Sequence, residues 1–504
     1  MDEIADKSAL GDDETRLASL GLEQAMKRNF NVWSLIFMGF CTSVTWEVIT
    51  SSMAQALMTG GSSSIVWGFL ASSCGALLIA FSLSEYASMI PTAGGQYHYV
   101  AALAPPRSRR VLSWIADWVT IWAWILSALA GLFANTLLLQ SYIILFSKEY
   151  LYQRLHTSLM LVAFATWCAV VSIFGIKLLH RLTFLGIALH IGGYLTTMIY
   201  LLVAVRPKIS ATYVFTDLTN LSGWKSDGVA WSIGLMGSAL SLTNWDSTLH
   251  LAEGMKDASK KLPRTIWGCV ATSSLITFPW VIALSFCITD IQAVLNGPVG
   301  RLAPLTQIVY NISGGDLSTT IGVTWFFLFL STFVGGPSVL TATSRIVWSF
   351  AREGALPPIF GQIHPRLGVP VNAIILCWAV ISAMSFIYVG NETAFYGISS
   401  GVTVVMIFSY SFPIMIDIMY PVRNENLPFG SFQLGRAKWP VNVGAVCWSI
   451  YLMIFMCFPS TIPVTQINMN YSVVIFAFPF VLAGITWFSY GRKIYKAPFK
   501  EDSD

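Results

Sequence analysis

Two stretches of this chain, far apart in sequence, share one pattern. They read Met38-Gly39-Phe40-Cys41-Thr42-Ser43-Val44-Thr45-Trp46-Glu47 and Met236-Gly237-Ser238-Ala239-Leu240-Ser241-Leu242-Thr243-Asn244-Trp245-Asp246. Each begins with Met-Gly, continues through small hydroxyl residues, and ends with a tryptophan followed by an acid inside a long apolar run. A continuous lipid-facing helix avoids such an acid, because an unpaired charge in the bilayer costs several kcal/mol. We therefore predict that each stretch interrupts a membrane helix.

The composition around these stretches requires a lipid environment. Of the 504 residues, 55% are hydrophobic and only 11% are charged, whereas about a quarter of a soluble protein is charged. So few charges could not cover the surface of a water-soluble protein of this length. The composition therefore excludes a soluble enzyme, a nucleic-acid-binding protein and a disordered scaffold. The eight cysteines lie in apolar runs without a Cys-x-x-Cys pair, so we expect no metal site and no cofactor.

A membrane-spanning helix needs about 20 mostly apolar residues, and the chain contains twelve such runs. They cover roughly residues 30–58, 65–90, 111–146, 157–178, 181–204, 227–251, 266–288, 318–345, 371–389, 394–418, 440–458 and 472–490. We predict an all-α polytopic membrane protein with twelve transmembrane helices in one membrane domain over 30–490. Charged tails at 1–29 and 491–504 flank it, and no cleavable signal peptide is expected.

The distribution of positive charge predicts the orientation. With the N-terminus inside, 23 of the 29 Lys and Arg residues fall on the cytoplasmic side and 6 on the other, which is a strong positive-inside bias. An even number of spans then places both termini in the cytoplasm. The four Asn-x-Ser/Thr sequons fall in predicted external loops. Asn220 and Asn311 are the candidate glycosylation sites, because Asn391 and Asn470 lie very close to the bilayer.

The two similar stretches each open one half of a ten-helix set. Spans 1–5 form repeat one over 30–204, spans 6–10 form repeat two over 227–418, and spans 11 and 12 follow over 440–490. Because five is odd, the second half enters the membrane in the opposite sense to the first. This is the layout of an inverted repeat, in which broken helices meet at the midplane and bind a substrate. The predicted substrate-binding residues are Cys41, Thr42, Ser43, Trp46, Glu47, Leu242, Thr243, Asn244, Trp245 and Asp246.

The residue types in this predicted site suit a small charged solute. The carboxylates of Glu47 and Asp246 could hold an ammonium or trimethylammonium group, and the faces of Trp46 and Trp245 could surround the same cation. The unwound backbone at both breaks could direct N–H groups at a substrate carboxylate. The alternative interpretation is that the two acids lie in a hydrated vestibule near a helix end.

Two further features lie within single spans. His190 is well inside span 5 and is the candidate for proton coupling, because an imidazole can exchange a proton at physiological pH. The alternative is a neutral histidine bonded to a hydroxyl such as Thr196 or Thr197. In span 8, Gly335-Gly336-Pro337 indicates either a helix kink or a close helix crossing at small residues.

Three loop motifs on the predicted cytoplasmic side are distinctive. They are Pro91-Thr92-Ala93-Gly94-Gly95-Gln96-Tyr97-His98-Tyr99, then His250-Leu251-Ala252-Glu253-Gly254, and a segment from Arg345 to Arg352-Glu353-Gly354-Ala355-Leu356-Pro357. Together they resemble the amino acid/polyamine/organocation transporters, and in particular the fungal amino acid/choline transporter family of amino acid, GABA and choline permeases. The resemblance implies the leucine-transporter-type fold, a substrate bound between spans 1, 3, 6, 8 and 10, and secondary transport that is usually proton-coupled in fungi.

The sequence departs from the family pattern at three places. Gly254 stands where the family has a second acid, and Glu353 stands where Asp or Asn is usual. Cys41-Thr42-Ser43 replaces the glycine-rich break that is common in span 1, while Trp46-Glu47 favours a cationic substrate.

These observations lead to one functional hypothesis and one alternative. The hypothesis is a plasma-membrane secondary transporter, not an enzyme, that imports a small nitrogen-containing solute by alternating access. An amino acid, GABA, choline or a related amine is the expected substrate, a proton is the expected coupling ion, membrane lipids surround the protein and no nucleic acid is bound. The alternative is a nutrient sensor of the same fold that does not transport, although such sensors usually carry longer tails.

Overall fold

The computed structural model describes residues 32–92, 94–147, 149–255, 257–421, 429–466 and 468–498. Side chains at 33–35, 37–38, 41, 176–184, 251–254 and 392–396 are not part of this description. The predicted tail at 1–29, the end of the tail at 491–504 and the side chain of Cys41 therefore lie outside the described residues.

All regular elements in the described ranges are helical. The first half of the chain forms α1 (Val32–Ser43), α2 (Thr45–Met89), α3 (Gln96–Leu103), α4 (Pro106–Phe146), α5 (Arg154–Phe174), α6 (Ile176–Ala204), α7 (Ala211–Phe215), α8 (Asp227–Gly234), α9 (Met236–Ser241) and a 3₁₀-helix (Trp245–Gly254).

The second half begins with the long helix that follows the second break. Its elements are α10 (Ala258–Cys287), α11 (Ile291–Leu295), α12 (Pro304–Ile312), α13 (Leu317–Leu330), a π-helix (Ser331–Gly335), α14 (Gly336–Arg352), a 3₁₀-helix (Pro358–Gly361), α15 (Val371–Ser385), α16 (Ile387–Gly390), α17 (Glu392–Met419), a 3₁₀-helix (Gly435–Ala437), α18 (Lys438–Phe455), α19 (Ser472–Thr486), a π-helix (Trp487–Gly491) and α20 (Arg492–Ile494).

Both predicted interruptions are present as breaks in helical structure. Helix α1 ends at Ser43, Val44 adopts a left-handed backbone conformation (φ 39°, ψ 46°), and α2 begins at Thr45. In the second stretch α9 ends at Ser241, and the chain leaves the helix before Asn244, which is also left-handed (φ 63°). A left-handed β-branched valine is sterically costly, so the surrounding packing must hold this conformation in place.

The described part of the chain has nine helices that are long and apolar enough to cross a membrane, which confirms a multi-pass helical membrane protein. Predicted spans 1 and 2 share helix α2, which turns at Gly61 (φ 68°). Predicted span 6 is divided among α8, α9 and a 3₁₀-helix, each of them short because the helix is broken. The count of twelve spans and the inverted repeat remain predictions.

The interior is densest where the broken helices cross their neighbours. Helix α2 packs along α10 and against α8, α9 and α18. Small residues permit these close crossings: a Cβ added at Gly75 of α2 would overlap the Trp448 ring of α18. Helix α19, in contrast, exposes Val474 and Ile485, as expected for a face covered by lipid.

Candidate functional site

A cavity of about 1150 Å³ lies between the two helix breaks. Its polar lining comes from five predicted spans, with Thr42 and Glu47 from span 1, Ser127 and Asn135 from span 3, Asn244 from span 6, Ser331 from span 8 and Ser399 from span 10. The rim is formed by connections that the charge distribution assigns to the external side, and it includes Tyr150, Tyr152, Arg301 and Thr461. The cavity therefore reaches from the interrupted helices to one face of the protein.

Glu47 places a carboxylate in the wall of this cavity, and His190 lies directly behind it. Glu47 Oε1 is 2.5 Å from His190 Nδ1. The indole Nε1 of Trp46 donates to His190 Nε2 at 3.2 Å. Since an indole N–H can only donate, Nε2 acts as an acceptor and the imidazole proton resides on Nδ1, facing Glu47. Trp46 thus selects the tautomer that pairs with the acid.

Trp46 itself belongs to an aromatic cluster rather than to the cavity surface. Its side chain is fully buried, and its ring contacts Trp280 at 4.8 Å and Phe327 at 5.0 Å between centroids. Trp245 is also buried and its ring lies 4.8 Å from that of Tyr410. Neither tryptophan lines the cavity, so the expectation that both surround a bound cation there does not agree with the geometry.

The second break is held by hydrogen bonds from two other helices. The backbone N–H of Asn244 donates to the Tyr410 hydroxyl of α17 at 3.1 Å. The side-chain Oδ1 of Asn244 accepts from Ser127 Oγ of α4 at 2.9 Å. The first bond satisfies a backbone N–H that the break leaves without a helical partner, and the two bonds together fix Asn244 in the cavity wall.

Asp246 lies behind the break and is completely buried. Its Oδ1 accepts from the Tyr410 hydroxyl at 2.7 Å, and its Oδ2 accepts from Gln96 Nε2 at 2.7 Å and from Trp124 Nε1 at 3.2 Å. His250 Nε2 is 3.7 Å from the same oxygen. Because its oxygens face protein donors and do not line the cavity, the geometry does not place Asp246 as a direct partner of a solute there.

Predicted span 8 contains a π-helix that overlaps the Gly335-Gly336-Pro337 motif. The π-helix at Ser331–Gly335 widens the turn just before Gly336, and both ends of this segment line the cavity. A Cβ added at Gly336 would lie 2.8 Å from Cys168 Sγ and 2.9 Å from the Ser331 carbonyl oxygen. A local distortion and a close helix crossing, the two alternatives for this glycine motif, therefore occur together.

Asn135 is a cavity residue that the sequence reasoning missed. Its Nδ2 donates to Thr332 Oγ1 at 3.1 Å, and its Oδ1 accepts from the hydroxyl of Ser331. This amide ties α4 to the π-helix at the cavity wall. The sequence signal that could have indicated this residue is the pair of polar residues Asn135 and Thr136 within an apolar run.

The end of the protein opposite the rim is closed by side chains from the loop motifs. The Tyr97 hydroxyl donates to Glu353 Oε1 at 3.0 Å and lies 3.0 Å from Ser349 Oγ. His98 Nε2 is 3.3 Å from the same Glu353 oxygen. Burial and the nearby carboxylate of Glu353 raise the pKa of the Tyr97 phenol well above its usual range, so Tyr97 remains a donor. We call Tyr97, His98, Ser349 and Glu353 the inner closure.

The predicted site residues therefore separate into two groups. Thr42, Glu47 and Asn244 line the cavity, whereas Ser43, Trp46, Leu242, Thr243, Trp245 and Asp246 do not. Among the predicted glycosylation sites, Asn311 is exposed in α12 and Asn220 is half-buried between α7 and α8. Within the described ranges, no three His, Cys, Asp or Glu side chains gather as a metal site would require.

The chain is similar in sequence to proteins from fungi and plants. It is 30% identical to an uncharacterised amino-acid permease of Schizosaccharomyces pombe, over 97% of this chain and 90% of that protein. It is 29% identical to a choline transporter of Saccharomyces cerevisiae, over 94% of this chain and 84% of that protein. It is 27% identical to amino-acid permease 2 of Neurospora crassa, over 96% and 88% of the two chains.

A family model described as amino acid permease matches residues 30–479. The match includes both helix breaks, the cavity between them and the inner closure, and it confirms the resemblance carried by the loop motifs. The chain therefore belongs to the amino acid permease family.

Proposed function

We propose that this protein is a secondary active transporter that imports a small nitrogen-containing solute by alternating access. The solute is an amino acid, GABA, choline or a related amine, in keeping with relatives named as amino-acid permeases and as a choline transporter. The observation that carries the proposal is the cavity between the two helix breaks, open at its rim and separated from the opposite face by the inner closure. A cavity that is open to one face and closed from the other is the arrangement that a transporter needs, and we therefore propose a transporter rather than an enzyme.

In the proposed binding mode, the first break supplies a carboxylate and a set of backbone N–H groups. Glu47 accepts the ammonium group of the solute, since it is the acid in the cavity lining. The N-terminus of α2, which begins at Thr45, presents N–H groups without helical partners to a carboxylate. Thr42, Ser127 and Asn244 supply neutral hydrogen bonds. A solute that carries both charges engages both features.

The proposed coupling ion is a proton carried by the pair of Glu47 and His190. With the imidazole neutral and Glu47 ionised the pair carries one negative charge, and one added proton makes the pair neutral. Because His190 is only 2% exposed while Glu47 lines the cavity, this change in charge occurs at the cavity wall, where it alters the attraction for an ammonium group. The inward step of the solute then depends on the proton.

The remaining parts of the proposal concern topology. Twelve spans with both termini in the cytoplasm account for the positive-inside bias of the loops. The five-plus-five inverted repeat with two additional helices and the plasma-membrane location are proposed from the family resemblance. In this orientation the cavity rim faces outward, and the described conformation is the one that receives a solute from outside.

Uptake measurements test the proposal directly. Labelled amino acids, GABA and choline are supplied to cells that lack their own permeases, at acidic and neutral external pH and with and without a protonophore. We expect saturable accumulation of at least one compound, faster at acidic pH and abolished by the protonophore. If compounds of this panel bind but none is accumulated, a non-transporting sensor replaces the transporter.

A further inference from the structure

A buried carboxylate connects three elements that meet beneath the cavity. Asp246 accepts from Tyr410 of α17, from Gln96 of α3 and from Trp124 of α4, at 2.7, 2.7 and 3.2 Å. Its side chain is fully inaccessible to solvent. A buried carboxylate that loses a donor is strongly destabilised, so these contacts are maintained or exchanged as a set.

The Tyr410 hydroxyl extends this set to the cavity. It donates to Asp246 and at the same time accepts the backbone N–H of Asn244 at 3.1 Å. Asn244 lines the cavity, and its left-handed backbone (φ 63°) is the point at which the second break turns. One hydroxyl group thus joins the cavity wall to the buried carboxylate.

Gln96 extends the set in the other direction, to the inner closure. It is the first residue of α3, and the adjacent Tyr97 bonds to Glu353 and Ser349. Gly95 precedes it with a positive φ of 61°, and a Cβ added there would lie 3.2 Å from His250 Cε1. The turn that presents Gln96 is therefore packed against the 3₁₀-helix that contains Asp246.

We propose that Tyr410, Asp246 and Gln96 form a hydrogen-bonded relay that links the cavity wall at Asn244 to the inner closure. The proposal rests on the transport function proposed above. A solute that binds at the break displaces the Asn244 backbone, and Tyr410 then loses one of its two partners. Asp246 consequently exchanges its bond to Gln96, and the inner closure opens. The three residues are positioning residues, since none of them lines the cavity.

Conservative substitutions test this relay. Tyr410→Phe keeps the ring against Trp245 but removes both hydroxyl bonds, and Gln96→Met keeps the length of the side chain without its amide. We expect each variant to lower the maximal uptake rate at least about tenfold, the size expected for a lost hydrogen bond to a charged group. For Gln96→Met the half-saturation concentration should stay within about threefold, because Gln96 bonds to Asp246 and to no residue that lines the cavity.

The double variant distinguishes a relay from two independent structural roles. If both residues act in one chain of hydrogen bonds, Tyr410→Phe combined with Gln96→Met lowers the maximal rate no further than the more severe single variant. If the double variant instead lowers the maximal rate by the product of the two single-variant factors, the relay is overturned. Asp246→Asn adds a third test, since its single carbonyl oxygen cannot accept both from Tyr410 on one side and from Gln96 and Trp124 on the other. Should that variant fail to reach the surface, the first two variants decide.

Tyr86→Phe is the matched control. The Tyr86 hydroxyl also donates to a buried acid, Asp417 Oδ2, at 2.9 Å, but at a junction with α18 that lies outside the relay. The maximal uptake rate of Tyr86→Phe should exceed that of Tyr410→Phe several-fold when the two variants are present at the cell surface in equal amounts. A wild-type maximal rate in Tyr410→Phe overturns the relay alone, whereas absence of uptake in the wild-type protein overturns the transport function and, with it, the relay.

Discussion

His190 Nδ1 lies 2.5 Å from Glu47 Oε1, so a buried imidazole on α6 contacts the acid at the start of α2. The acid lines the cavity and the imidazole does not. Any solute that reaches Glu47 therefore meets a carboxylate that has an imidazole directly behind it. This geometry joins the candidate substrate contact and the candidate proton site in one pair.

Glu47→Gln should abolish uptake of every transported compound while surface expression stays normal. Glutamine keeps the shape of the side chain but carries no charge to hold an ammonium group, and a charge pair that loses one partner costs about 2–5 kcal/mol. Initial uptake rates and surface biotinylation measure the two quantities. Glu149→Gln, the same change at an exposed position near the rim, should transport normally. Full uptake by Glu47→Gln would remove this acid from the site.

His190→Gln should make uptake nearly independent of external pH. The glutamine amide does not bind a proton in this pH range, so the ratio of rates at acidic and neutral pH should fall close to one. A residual, pH-insensitive rate is expected, because the cavity lining is intact. His364→Gln, in an exposed loop, serves as the control. An unchanged pH profile in His190→Gln would assign the coupling proton elsewhere.

Gly336→Ala should destabilise the protein and slow transport. The new methyl group would meet Cys168 Sγ at 2.8 Å and the Ser331 carbonyl at 2.9 Å, and a backbone atom cannot yield as a flexible side chain does. Thermal unfolding of the purified protein in detergent measures the loss. Gly322→Ala is matched, since nothing lies within 4 Å of its added Cβ, and it should be neutral or stabilising by about 0.5–1 kcal/mol. Equal melting temperatures for the two variants would contradict the close crossing at Gly336.

Asn311 should carry an N-glycan in preference to Asn220. A glycan is attached at Nδ2, and in Asn220 this atom donates to the Trp224 carbonyl at 2.9 Å and to Asp227 at 3.0 Å. In Asn311 it makes one long contact, 3.4 Å to the Ala293 carbonyl. Loss of a glycosidase-sensitive mobility shift in Asn311→Gln, and its retention in Asn220→Gln, would confirm the preference. A shift that disappears only in Asn220→Gln would contradict it.

The sequence anticipates the helical membrane architecture and the position of both helix breaks. Apolar runs of sufficient length must be helical in lipid, because every backbone polar group has to be paired within the segment. An acid beside small hydroxyl residues in such a run marks where that helix is interrupted. Val44 and Asn244, the left-handed residues at the two breaks, both lie inside the stretches selected on this basis.

The sequence could not show which side chains of these stretches face the cavity. Glu47 and Asp246 occupy equivalent places in the two patterns, yet one lines the cavity and the other is enclosed by Tyr410, Gln96 and Trp124. A break fixes where a helix ends but leaves its rotation free, and rotation is set by packing against helices distant in sequence.

Composition and local pattern thus determined that the chain crosses a membrane and is interrupted at two places. Tertiary structure alone decided that His190 pairs with Glu47, that Asn135 reaches the π-helix and that both tryptophans of the pattern are buried. The physical reason is that these contacts join residues from different helices, and their free energy depends on distances and orientations that only the folded arrangement of helices defines.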